Sequence, residues 1–474
     1  MSEKAPILIW FRRDLRLSDH AALTAACASG HPVIPVFIHD PLVEGLGAAP
    51  KWRLGLGIGA LAACLKAKNS QLVLRKGADA LAVLQELIAQ TGAGAVYWTR
   101  LYDPDSAARD ANIKDTLKKQ GVEARSFGGH LMFEPWTVET KTGGYYKVFT
   151  PFWNAVKKRG VDVPRPVPET IKSPVEWPYS EDIESWNMGA AMGRGVTVVR
   201  PFVRLGEQAA QERLGDFIEG IVAGYADTRD QPGIDGTSNL SENLAVGEIS
   251  PHQCWHAGRR GMEEGKAGAE IFLKELVWRE FAYHLMYHTP RILEGNWRQE
   301  WDAFPWKDDA RAAEVWAWKK GRTGIPFVDA AMRELYVTGR MHNRGRMIVA
   351  SYLTKHLMTH WRIGLAWFEN CLIDWDPASN AMGWQWSAGS GPDATPYFRV
   401  FNPETQLERF DKDGAYRTRW IAEGRSSPHR DALRYFEAVP RQWAMTADDP
   451  YPDPLVTPAE GRARALAAYS NRGF

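Results

Sequence analysis

An α/β domain joined by a proline-rich connection to an all-helical domain is the architecture this 474-residue sequence predicts. Three patterns carry that reading. Strand-like and helix-like stretches alternate over the first 130 residues, five prolines fall between Pro164 and Pro178, and helical periodicity dominates after about residue 200. The length alone exceeds what one hydrophobic core ordinarily serves. The expected units are residues 1–130 (α/β), 131–199 (connection) and 200–474 (helical).

Strand-like runs lie at 7–11, 33–39, 72–76, 95–100 and 123–127, with helix-like segments at 19–29, 51–68, 78–90 and 105–120 between them. In the third helical segment Leu81, Leu84, Leu87 and Ile88 share a face. Such alternation predicts a parallel, Rossmann-like sheet covered on both sides. Gly55, Gly57 and Gly59 lack the spacing of a dinucleotide fingerprint and sit inside a helical pattern, so they read as helix packing. The five prolines mark an extended connector rather than a core. Beyond it, helices are predicted at 207–222, 266–288, 326–337, 346–358 and 365–372.

Composition excludes several classes. Hydrophobic content of 45% and charged content of 24% are ordinary for a globular chain, and a net charge of +1 decides nothing about nucleic acid, since a basic patch can hide in a neutral total. The four cysteines form no CxxC pair, which predicts reduced cytosolic thiols and no metal or iron–sulfur site. The apolar run before Arg12 is too short for a signal peptide, and no stretch of about 18 apolar residues offers a membrane span. A cytoplasmic protein is therefore expected. Tryptophan is abundant, 21 residues mostly after position 250; beside other site-like residues it suits stacking or electron transfer, elsewhere an aromatic core.

Four constellations carry chemistry. Tyr225 and then Thr237-Ser238-Asn239-Leu240-Ser241 precede a helical segment, where hydroxyls and unpaired N–H groups seat a phosphate or simply cap the helix. Glu275, Trp278 and Arg279 share one helical face, where a partly buried carboxyl can donate a hydrogen bond to a carbonyl. The run from Met341 to Met347 places Arg346 where it can pair with Asp374. The densest stretch runs from Asp374 to Trp386, with two carboxylates, an amide and tryptophans in 13 residues, as a pocket for a polar heterocycle and a stacked ligand requires. His356 and His360 have metal-ligand spacing but no carboxylate motif nearby, so they read as ordinary histidines.

On these motifs, with Trp10-Phe11-Arg12-Arg13-Asp14-Leu15-Arg16 and Pro396-Tyr397-Phe398-Arg399-Val400-Phe401-Asn402-Pro403, the sequence resembles the photolyase/cryptochrome family over nearly its whole length, most closely its bacterial cyclobutane-dimer photolyases. The resemblance implies that the helical domain binds FAD. The Tyr225 and Thr237–Ser241 residues would serve the pyrophosphate, and Phe272 would stand where the family has a pocket tryptophan. Arg279, Asn343, Arg346, Asp374, Trp375 and Asp376 would surround the cofactor, with Asn380 facing flavin N5 as in repair enzymes. Arg229, Glu275, Trp278, Asn343, Arg344, Met347, Trp386 and Gln406 would meet DNA or the flipped dimer, and Trp384, Trp361 and Trp306 would pass electrons. Asn343 replaces the second histidine of (6-4) photolyases, which argues against that substrate. Asp105-Ser106 replaces the asparagine–glutamate pair of the folate-antenna enzymes, so folate in that mode is not expected; a deazaflavin, another flavin or an empty antenna site stay open.

The implied activity is light-driven splitting of cyclobutane pyrimidine dimers by reduced FAD, in a monomer that joins the bacterial nucleoid when bound to UV-damaged DNA. A cryptochrome-like receptor that binds FAD without repair is the alternative, though no long tail follows the helical domain. A dark flavin oxidoreductase would need a nicotinamide site, and no GxGxxG follows a strand.

Overall fold

The computed structural model describes residues 4–393 and 398–474; Pro396 and Tyr397 of the aromatic–basic run lie outside them. Five strands, β1 (Ile7–Phe11), β2 (Val33–His39), β3 (Val73–Lys76), β4 (Ala95–Thr99) and β5 (Glu123–Phe127), pair in the order β3-β2-β1-β4-β5, all parallel. Ile7 lies opposite Val33 on one side and Ala95 on the other, so β1 is central and buried throughout. Around the sheet pack α1 (Ala21–Ala28), α2 (Ala48–Ala67), α3 (Ala80–Thr91) and α4 (Pro104–Lys119). Asp103 starts α4 by accepting the Ser106 N–H at 2.9 Å, with Pro104 in the first turn. The Gly55–Gly59 run lies inside α2; a Cβ at Gly57 would come within 2.8 Å of the Leu15 side chain.

The connection is only partly the extended linker its prolines predict. Residues 157–182 are irregular, yet Ile171 is buried in the core of the α/β unit, the Val33 N–H of β2 donates to the Lys172 carbonyl, and the Glu181 N–H donates to the Leu74 carbonyl of β3. Ahead of the prolines, α5 (Phe149–Val156) buries Phe149, Phe152, Trp153 and Val156 in the core of the helical region. A helix with that apolar face belongs to the core it fills.

The helical region contains α6 (Gly206–Asp216), α7 (Ser241–Val246), α8 (Pro251–Glu263), α9 (Ala269–His288), α10 (Pro326–Thr338), α11 (Asn343–Ser351), α12 (Trp361–Cys371), α13 (Pro377–Ala388) and α14 (Pro403–Phe410), among others. Two predicted helices change winding: α6 passes into a π-helical turn at Phe217–Ile221, and α11 into one at Tyr352–His356. No described helix is long and apolar enough to cross a membrane.

The segment after β1 stitches the two regions together. Arg13 Nε, the Leu15 N–H and Arg16 Nη1 donate to the carbonyls of Ala245, Val246 and Gly247 at the end of α7. Gly247 has φ +77°, and a Cβ there would lie 2.1 Å from the Arg13 carbonyl oxygen, so only glycine allows the approach. Nearby, fully buried Arg53 of α2 pairs with Glu248 at 2.5 Å and Glu242 at 3.1 Å.

Candidate functional site

The site is built around α13. Asp376 accepts the Ser379 N–H at 2.8 Å through Oδ1, which caps the helix, while Pro377 preorganises its first turn. Its Oδ2 accepts from the Tyr283 hydroxyl at 2.6 Å and from Arg13 Nη2 at 3.2 Å. Burial alone would raise this carboxyl, but Arg13, Arg279 and Tyr283 outweigh it and hold the pKa below the usual range. An anion is thus fixed at a helix N-terminus, where the dipole favours it.

One turn on, the Asn380 amide donates to the Asp376 carbonyl at 3.0 Å, which sets the orientation of its oxygen. Asp374 Oδ2 accepts from Arg346 Nη2 at 2.7 Å, and Arg346 is itself anchored by the Met341 carbonyl. Asp374 Oδ1 is buried with no hydrogen-bond partner among the described residues. A buried carboxylate oxygen left unpaired is costly unless a ligand supplies the donor.

The phosphate-type loop has matching openness. Leu240 precedes α7 and gives it no side-chain cap, and the Thr237, Ser238 and Ser241 hydroxyls have no hydrogen-bond partner among the described residues. Asn239 adopts φ +51°, held by its side-chain bond to Asp235 and by Arg213, which donates to its carbonyl and to Glu242 and Asn243. Tyr225 is buried against Phe217, and burial raises its hydroxyl to about 12. Phe272 is buried against the same Phe217 ring at 4.9 Å, an apolar wall without an indole N–H. Trp375 is half-buried against the helical core.

On α9 the three expected residues point to three different partners. Glu275 pairs with Arg229 at 2.6 Å, Trp278 lies flat on Phe149, and Arg279 turns to the His130 carbonyl at 2.9 Å and the Tyr283 ring. Burial, then Arg279 and three further arginines, holds His130 well below the ordinary histidine range. The guanidinium groups of Arg229 and Arg344 are both paired within the chain. Arg344 meets Asp230 at 2.7 Å and lies over Phe410. Asn343 is exposed with its amide 4.0 Å from the Met347 sulfur, Gln406 is half-buried on α14, and Trp386 is half-buried beside Phe401.

Trp384 and Trp361 are buried in one core and Trp306 is half-buried at its margin. The His360 ring stands 5.2 Å from Trp306 and 5.4 Å from Trp361. Gly364 brings α12 onto α13, since a Cβ there would fall 2.1 Å from the Trp384 ring. His356 and His360 do different work: His356 is buried against Gly461, while the His360 ring accepts the Arg362 N–H and caps α12.

Sequence reasoning did not single out Phe149, Tyr283, His130 or Arg213, and quoted Arg13 without a role. Tyr283 alone had a local signal, one turn beyond Arg279 on the same helix. At the carboxyl ends of β1 and β2 the protein's own charges pair: Arg12 with Asp110 and Arg109 with Asp40, and both guanidinium groups lie over Trp10. Beside this cluster, and sharing Asp110 with it, a cavity of about 200 Å³ is lined by Trp98, Arg100, Tyr102, Lys114, Trp136 and Tyr287, among others.

Comparison with known proteins agrees along the chain. Residues 7–171 match the family model described as DNA photolyase, and residues 272–471 that described as the FAD binding domain of DNA photolyase. A deoxyribodipyrimidine photo-lyase of Agrobacterium fabrum is 44% identical over 474 residues, 98% of each chain. The enzyme of that name from Escherichia coli is 36% identical over 475 residues, again 98% of each. The crystal structure of a bacterial class III photolyase from Agrobacterium tumefaciens superposes with a TM-score of 0.91 at 44% identity, over 99% of this chain and 98% of that one.

Proposed function

The chain belongs to the DNA photolyase family, and from that premise we propose that it splits cyclobutane pyrimidine dimers in UV-damaged DNA, using light and bound FAD. One observation carries the reading: α13 serves three surroundings at once. Asp376 and Asn380 lie at its buried start, Trp384 sits in the core with Trp361, and Trp386 stands half-open beside Phe401.

The residues fit FAD. The open hydroxyls of Thr237, Ser238 and Ser241 and the uncapped start of α7 suit its phosphates, and the unpaired oxygen of Asp374 suits a ring N–H. In its reduced form FAD supplies, once excited, the electron that opens the cyclobutane ring. The chain's own residues do the rest. Trp278 and Trp386 wall the pocket and exclude water from a flipped lesion, whose extraction costs less because it is already poorly stacked. Glu275, paired with Arg229, is a hydrogen-bond acceptor, so it would meet the dimer at a ring N–H rather than donate to its carbonyl as the sequence suggested. Asn380 is neutral, so it adds no second negative charge beside the reduced ring. Trp384, Trp361 and Trp306 offer an electron path from the interior to the surface. With Arg229 and Arg344 largely neutralised, phosphate affinity rests on additional basic groups of the rim. A second planar chromophore would find aromatic faces in the cavity lined by Trp98, Tyr102 and Trp136. The protein acts as a single copy at the nucleoid.

Illuminating the reduced, FAD-loaded protein with an oligonucleotide that carries one thymine dimer tests this. Loss of the dimer in light and not in darkness is expected. Persistence of the dimer, with FAD and DNA both bound, would favour the receptor reading instead.

A further inference from the structure

We propose that Phe149, on the connecting helix α5, is a positioning residue for lesion recognition: its ring fixes the plane of Trp278, the wall on which the flipped dimer rests. The inference builds on the role given to Trp278 above.

The two rings lie 3.7 Å apart at 4°, closer and flatter than the offset or edge-on arrangements aromatic pairs adopt by themselves. Their surroundings impose the geometry. Phe281, one turn further along α9, closes the edges of both rings at 5.8 Å and 5.9 Å, and Phe152 supports it from α5 at 5.3 Å. The loop before α5 is clamped to the last turns of α9: Tyr145 stacks on His288 at 4.7 Å and bonds Thr289, while the Tyr146 N–H donates to the His284 ring. Phe149 is itself buried, so its ring has little freedom to follow a moving neighbour.

The consequence for Trp278 is direct. A half-exposed indole on a helix otherwise samples several rotamers and loses that freedom when it binds. With one face covered by Phe149 and an edge by Phe281, a single flat face is left for a ligand. The ordering cost is met on folding rather than on binding, which is preorganisation. A connector helix thereby becomes part of the substrate pocket, although it lies outside the FAD-binding family segment.

The test measures affinity in the dark for dimer-containing and undamaged oligonucleotides, with FAD content as the check on folding. Phe149→Leu keeps an apolar side chain but loses the plane. It should weaken dimer binding on the order of 3- to 10-fold, the scale of one aromatic contact, while undamaged DNA binding and FAD content hold. Phe149→Tyr should restore affinity to within about twofold, because the ring is kept. In a Trp278→Ala background, Phe149→Leu should cost nothing more, since its effect runs through the indole. If Phe149→Leu loses FAD, Phe149→Met, flexible and of similar volume, is read against the same expectation. Unchanged dimer affinity in Phe149→Leu, or an equal loss with and without Trp278, overturns the proposal. If Trp278→Ala itself leaves dimer affinity intact, the error lies in the role of Trp278, and both readings fall together.

Discussion

Trp384 and Trp386 stand two positions apart but in different surroundings, one buried in the core and one half-open beside Phe401. Trp384→Phe should slow light-driven reduction of the bound flavin, followed by absorbance, yet spare repair by protein reduced chemically beforehand. Trp386→Ala should do the reverse: photoreduction is kept, and dark affinity for a dimer oligonucleotide falls by roughly 1–3 kcal/mol, the scale of one stacked base. Equal effects would mean the helix is divided wrongly. Asp374→Asn removes the charge that Arg346 pairs with and should lower FAD retention on dialysis; unchanged retention would remove the carboxylate from the cofactor site. The Arg346–Asp374 pair was legible in sequence because both residues sit in short motifs of unusual composition. The partners of Asp376 were not. Arg13 lies 363 positions away, and no local pattern signals a contact that only the folded sheet creates.

Helix ends show what the sequence hides at the scale of elements. The strands fall within a residue or two of their predicted limits, because short apolar runs between helices leave little freedom. α11 instead begins at Asn343, three residues ahead of expectation, since the His342 ring accepts the Arg344 N–H at 3.1 Å and caps it. Histidine also caps α1, α12 and the helix Arg430–Ala438, a role that usual capping preferences do not assign to it. Such a cap works only while the ring is neutral. Burial, aided by Arg344 and Arg346 and opposed by Asp230, lowers His342 to about 4. Its folded pKa lies below its unfolded one, so the unfolded chain binds more protons between about pH 6.5 and 4, and stability must fall as pH drops through that window. His342→Asn keeps a capping side chain that does not titrate. Its melting temperature should therefore decline less than that of the unaltered protein between pH 6.5 and 4, and parallel declines would contradict the assignment. Gly364→Ala tests α12 against α13: the added methyl meets the Trp384 ring, so a loss of about 1–3 kcal/mol and altered tryptophan fluorescence are expected.

Across the whole molecule, the two regions share charges as well as surfaces. Arg53 of the α/β unit is enclosed with Glu242 and Glu248 just beyond the phosphate-type loop, and Arg213 ties the same Glu242 to Asn239. Arg53→Met would leave the buried Glu248 without its cation while Glu242 keeps Arg213, at a cost of about 3–5 kcal/mol, and should lower both the melting temperature and the affinity for FAD. A change in stability with FAD affinity untouched would show that the network joins the domains without shaping the loop. The two-part architecture was plain from periodicity, but the connection's contribution was not. Its prolines announce a linker, whereas Phe149 and Phe152 of α5 complete the helical core. At this scale bound, reduced FAD and light together are expected to reverse the lesion. The direct measurement is dimer reversal in a single flash, plotted against the fraction of protein carrying reduced FAD. Reversal proportional to that fraction, and absent in darkness, is predicted. No reversal at full loading with DNA bound, or reversal independent of FAD content, would contradict the account.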